Sequence, residues 1–152
     1  METMRHRISA GALVVHQDRV LLARHFRPGV YDFWAPPGGG VEGGEELWGA
    51  AAREVLEETG LTVRAGPMAY IDELIDSSGR MVKFWFLADY VAGSIDVTAN
   101  PAAEAITEAG WFAPDALPEG HVFPEPLRGR FWVDRETGFP SPIKLPLRHS
   151  IF

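Results

Sequence analysis

The clearest helix in this sequence runs from Glu45 to Thr59, and its boundaries constrain how the flanking segments can fold. The segment is rich in Ala, Leu and Glu, holds Gly49 as its one poor helix former, and is stopped by Gly60. At about 100° per residue, Trp48, Ala52, Val55, Leu56 and Thr59 gather on one side as a core-facing stripe. Glu54, Glu57 and Glu58 gather on another side.

The flanking segments are strand-like. Ile8–Val15 and Arg19–Ala23 are apolar runs on either side of a polar break, which predicts two adjacent strands around a turn. Thr62–Ile75 and Met81–Val91 predict two long strands joined at Asp76–Ser77–Ser78–Gly79, a hairpin. Ala109–Ala113 predicts a further short strand, and Glu125–Arg135 a second helix with Leu127 and Phe131 one turn apart. Phe26–Gly44, rich in glycine and interrupted by Pro28, Pro36 and Pro37, is too broken for a helix or a central strand. The expectation is an α/β fold, a mixed sheet flanked by helices, in one domain over residues 1–152 with an extended tail from 137 to 152.

Composition narrows the function classes. The 46% hydrophobic and 23% charged fractions are those of a soluble globular chain, and no apolar run is long enough to span a bilayer. Ala10–Val15 is too short for the core of a signal peptide, so the expected location is cytoplasmic, with no membrane partner. The absence of cysteine removes disulfides, thiolate zinc sites and a cysteine nucleophile. A formal charge of −7 argues against a nucleic-acid polymer as partner. A small polyanion remains compatible with an acidic protein if a cation sits between the two.

Glu54, Glu57 and Glu58 stand at i, i+3 and i+4, so their side chains converge. Like charges at that spacing destabilise a helix by a few tenths of a kcal/mol per pair, roughly. A divalent cation would offset this, because carboxylate oxygens are preferred ligands of Mg²⁺ and Mn²⁺. The bland alternative is a solvated acidic face. Two neighbours favour a site: the run Pro37–Gly40, which lets backbone approach a ligand closely, and Arg53, which is placed to hold a glutamate by a charge-assisted hydrogen bond.

Gly39-x5-Glu45-x7-Arg53-Glu54-Val55-x-Glu57-Glu58-x-Gly60-Leu61 resembles a complete Nudix box, GX5EX7REUXEEXGU, with every fixed position filled. Trp34–Gly38, Glu108–Phe112 and Leu117–Pro118 also resemble the family, so the similarity spans roughly Ile8 to Phe131. The resemblance implies the α/β/α sandwich of that family and metal-dependent hydrolysis of a diphosphate in a nucleoside diphosphate linked to a second group. It makes Glu54, Glu57 and Glu58 ligands of Mg²⁺ or Mn²⁺, Arg53 the residue that orients them, Glu45 an outer member of the network, and Gly39 part of the loop framing the metal.

For a general base, Glu54 stands inside the box, with Glu104 and then Glu108 outside it; a solvated loop is the alternative for the last two. Trp34, Phe84 and Phe86 are candidates to stack on a base and Arg24 and Arg27 to meet phosphate, against the plainer reading of core aromatics and surface charges. Lys83 is grouped with those arginines, Trp85 is expected on the strand face opposite Phe84 and Phe86, and His25 and His121 are assigned nothing. The family's marks for ADP-ribose and diadenosine polyphosphate hydrolases, a proline and a tyrosine beyond the box, are absent where Asp76–Gly79 stand, and the isomerase relatives need a cysteine. The short chain suits a MutT-like enzyme on a small nucleotide-like substrate, with a homodimer left open by the proline-bearing tail. The rivals are a Nudix-like module that senses a nucleotide without cutting it and a structural calcium site.

Overall fold

The computed structural model describes residues 3–98 and 105–152. β1 (His6–His16) turns through Gln17 and Asp18, both at positive φ, into β2 (Arg19–Arg27). The two pair antiparallel at Val15–Val20 and His16–Arg19, next to the turn. β1 then runs parallel to β6 (Gly79–Ala92), from His6–Arg80 to Val14–Ala88, and β6 is antiparallel to β5 (Thr62–Asp76) across the expected hairpin. β2 carries β3 (Tyr31–Ala35) and β7 (Ile106–Phe112), both antiparallel. β4 (Gly38–Gly40) lies antiparallel on β1, while β8 (Ile143–Lys144) and β9 (Arg148–His149) lie parallel on β5. Among the described residues these strands form one mixed sheet of nine, and no helix is long and apolar enough to cross a membrane.

Alternation along β1 sorts the core into two layers. Ala10, Ala12 and Val14 pack with Leu21, Phe86 and the helix α1 (Leu47–Thr59) through Ala50, Ala51 and Val55. Leu13 packs on the other side with Tyr70, Trp85, Leu127 and Phe131, the last two from a 3₁₀ turn (Glu125–Arg128) and α2 (Phe131–Thr137). A strand buried on both faces needs a near-continuous apolar run, which β1 has. Trp85 falls on the opposite side from Phe84 and Phe86, as alternation requires. The α/β architecture with a mixed sheet is therefore the one expected.

Four local expectations are corrected. Helix α1 begins at Leu47 rather than Glu45, because the Glu45 amide donates to the Glu42 carbonyl in a turn and Glu46 stays extended as the N-cap, accepting from Ala50 at 2.9 Å. Its buried residues are Ala50, Ala51, Glu54, Val55, Glu58 and Thr59, whereas Trp48 and Leu56 are 55% and 53% exposed. The helix is thus rolled by about one residue step, roughly 100°, which brings two glutamates inward. Phe26–Gly44 holds neither a helix nor a central strand, as expected, but it is not wholly irregular: it contains the edge strand β3 and the three-residue β4, each paired on one partner apart from a single bridge from Trp34 to Val122. The second helix is split at Gly129, after Pro124 and Pro126 have tightened the first turn into a 3₁₀ form.

Candidate active site

The roll of α1 lays its acidic residues over β4. Glu54 and Glu58 are only 5% and 2% exposed. A Cβ on Gly39 would lie 2.5 Å from Glu54 Oε1, so glycine there is what lets the carboxylate sit against the strand. At Gly38 a Cβ would meet the Lys83 side chain at 2.7 Å, and the Gly38 amide donates to Glu58 Oε2 at 3.2 Å. The glycine run is thereby a packing surface for charged side chains from two other elements.

Arg53 joins the carboxylates. Its guanidinium donates to both oxygens of Glu45 (3.1 and 2.7 Å), to Glu54 Oε1 (3.0 Å), to Glu57 Oε2 (3.1 Å) and to the Gly40 carbonyl (3.0 Å). It draws the Glu45 carboxyl below the usual carboxylate range, helped by the Glu42 amide. The mutual repulsion read from the i, i+3, i+4 spacing is thus partly relieved by an internal cation. Among the described residues no three acidic or histidine groups stand close enough to hold an ion as they are, since Glu57 is drawn to Arg53 and Glu58 to the Gly38 amide. The donor set nonetheless fits a hard divalent ion: the oxygens are all carboxylate, and two of the three carboxylates are withdrawn from water, where added positive charge is favoured.

Beside Gly38 and Gly39 opens a cleft of about 570 Å³, also lined by His25, Tyr31, Phe33 and Lys83. The Lys83 ammonium lies 4.3 Å from the centre of the Trp85 ring. Burial pushes it below the usual lysine range, against the pull of Glu58, Asp72 and Glu54. His25 stacks on Phe33 at 4.7 Å with planes 8° apart, and burial, followed by the charge of Lys83, pushes it down to about 4. The cleft therefore combines flat rings with a cation next to the acidic helix.

Of the substrate candidates chosen from sequence, Lys83 lines this cleft, whereas Trp34, Phe84, Arg24 and Arg27 do not. Trp34 packs edge-on against Phe112 at 5.1 Å in the α2-side core, and Phe84 packs on the α1-side core. Arg24 is engaged by Asp32 (2.9 Å) and Glu108 (2.8 Å), which also occupies that candidate base; Arg27 is exposed, near the Tyr31 ring. Glu104 lies outside the described residues. Tyr31 and Phe33 went unnoticed because they fall in the stretch read as irregular. Their i, i+2 spacing on one strand face was the available signal.

The chain resembles known proteins in sequence and in fold. A family model described as NUDIX domain matches residues 5–131. A protein of Pseudomonas aeruginosa (strain LESB58) named NAD-capped RNA hydrolase NudC is 40% identical over 108 residues, 70% of this chain and 36% of the relative. Its namesake from Stutzerimonas stutzeri is 39% identical over 135 residues, 86% of this chain and 46% of the relative. The chain thus spans less than half the length of these curated relatives. A solved structure described as a MutT NUDIX hydrolase from Burkholderia pseudomallei superimposes with a TM-score of 0.68 at 30% identity, over 82% of this chain and 94% of that one.

Proposed function

Because this chain belongs to the Nudix family, we propose that it hydrolyses a diphosphate linkage in a nucleoside diphosphate joined to a second group, with the help of a divalent cation. The observation that carries the reading is the network centred on Arg53, which gathers Glu45, Glu54 and Glu57 beside the glycine strand and the cleft. Glu54, Glu57 and Glu58 would hold Mg²⁺ or Mn²⁺, which supplies neutralisation of phosphate oxygens and acidification of water. Arg53 orients Glu54 and Glu57, and Gly39 keeps the strand close enough for the carboxylate to be shared. Glu54 is the preferred proton acceptor for the attacking water, since it packs against Gly39 at the cleft, whereas Glu108 is not among the residues lining it.

The flat rings of Tyr31, Phe33 and His25 suit a nucleobase. Nucleoside triphosphates, nucleotide sugars and dinucleotides all carry one beside a phosphoanhydride. The name of the NudC relatives favours the dinucleotide type and adds a capped RNA end as a substrate to test. A nucleotide sensor without turnover is the competing reading, and the presence of all the box glutamates disfavours it.

The test is a screen of these substrates with Mg²⁺ or Mn²⁺, with products identified by mass. Glu57→Gln and Glu58→Gln are expected to lower kcat by about a hundredfold or more while far-UV circular dichroism is retained. A wild-type protein that cleaves nothing, or glutamine variants as active as wild type, would overturn the proposal.

A further inference from the structure

Two cations from distant parts of the chain face the same cleft. Lys83 reaches it from β6, with its ammonium beside Gly38 and over the Trp85 ring. Arg148 reaches it from β9, over the Phe123 ring at 4.9 Å. The two charges repel, and the field of Arg148 is one of the influences disfavouring protonated Lys83. What holds Arg148 there is Asp72 on β5, only 1% exposed, which accepts from Nε at 3.4 Å and Nη2 at 3.2 Å. That engagement leaves the Nη1 edge of the guanidinium for a ligand. Arg148 also lines an adjoining cavity of about 570 Å³ together with Arg128, Arg130, Asp72 and Glu125, where Arg130 is paired with Asp134.

In a chain of net charge −7, such a convergence needs an explanation. Asp72 offsets part of the repulsion between the two cations, and Asp76 and Glu125 line the cleft, so an anion is drawn to the cationic edges that these carboxylates leave open. A buried carboxylate fixing the orientation of one of the cations removes the freedom to swing away. The glutamates across Gly38 and Gly39 would by themselves repel a phosphorylated substrate, so an opposing cationic group has a definite task.

We propose that Lys83 and Arg148, with Asp72 as the positioning residue, form an anion-binding position in this cleft that takes the diphosphate of the substrate. Lys83 supplies a compact point charge and Arg148 a directed donor edge. The existence of the position is independent of the hydrolase reading; only the identity of its physiological ligand rests on that reading.

The experiment is calorimetric titration with inorganic pyrophosphate in the absence of divalent metal, paired with steady-state kinetics on whichever nucleotide substrate turns over. Lys83→Met keeps the aliphatic stem over Trp85 and removes the charge. The double variant Asp72→Asn/Arg148→Gln removes the second cation without leaving a buried carboxylate unpaired. Each is expected to weaken pyrophosphate binding about tenfold or more, ~1.4 kcal/mol, and to raise KM by a similar factor with kcat within about threefold. Lys83→Arg is expected to retain binding. Wild-type protein that gives no pyrophosphate binding, or unchanged binding in both charge-removing variants, would sink the proposal. Pyrophosphate binding that depends on Lys83 in a protein without turnover would uphold the anion position and refute the hydrolase reading. Should Lys83→Met lose its circular dichroism spectrum, the double variant on the short β9 strand decides the matter.

Discussion

Arg53 shows how much one side chain can settle. Its neighbour relation to the acidic patch was visible in the sequence, but its five donated hydrogen bonds to three glutamates and a strand carbonyl were not. A planar guanidinium offers five donors in a fixed fork, against three on a lysine ammonium. His25 is the converse case, a lone histidine with no motif around it that turns out to be packed against Phe33 in the cleft. Its folded pKa is lowered from 6.5 to about 4, so the fold favours the neutral ring. Above the unfolded value both states are neutral and the full stability is present. As pH falls below 6.5 the unfolded chain takes up a proton that the folded chain refuses, and stability declines until the folded ring also protonates near 4. The loss over that window should approach about 3 kcal/mol. Urea midpoints at pH 7, 5.5 and 4 check this: His25→Gln should flatten the decline, and an identical decline in that variant would show that other groups are responsible.

At the scale of elements, α1 was recognised by composition, its glycine stop and its acidic spacing. Its orientation was misjudged, because hydrophobic periodicity assumes that the buried face is the apolar one. Here Glu54 and Glu58 share that face, and Trp48 and Leu56 are displaced to solvent. Replacement of Trp48 or Leu56 by Lys is therefore expected to change stability by less than about 0.5 kcal/mol. Val55→Ala, at a position with 0% exposure, should cost about 2 kcal/mol. Chemical denaturation of the three variants measures the difference, and a larger cost at Trp48 than at Val55 would restore the original stripe. The strands β3 and β4 escaped notice for a related reason. Three consecutive glycines have no strand propensity of their own, and β4 exists because Glu54 and Lys83 need a backbone without side chains beside β1.

For the molecule as a whole, the two core layers share β1 and β5, and Tyr70 ties the sheet to α2 by donating to Asp134 at 2.7 Å. The tail adds to the same sheet, since β8 and β9 both pair with β5. The expected behaviour is that of one cooperative unit, with a single calorimetric transition in which calorimetric and van't Hoff enthalpies agree. Tyr70→Phe should lower its free energy by about 1 kcal/mol without splitting it. Two separate transitions would show instead that the α2 layer and the tail unfold independently.

The linear order of residues determined whatever depends on neighbours a few positions apart: strand alternation, the helix and its glycine stop, and the spacing of Gly39, Glu45, Arg53, Glu54, Glu57 and Glu58 that marks the family. Tertiary structure decided which face of α1 is buried, that Arg24 is held by Asp32 and Glu108, and that Lys83 and Arg148, the latter held by Asp72, line one cleft with Tyr31 and Phe33. The physical reason is one of range. Periodicity reports contacts within a turn or a pleat, whereas the cleft depends on the parallel register of β1 with β6 and of β5 with β9. Those pairings join segments far apart in the chain, and they are selected by how the entire core packs.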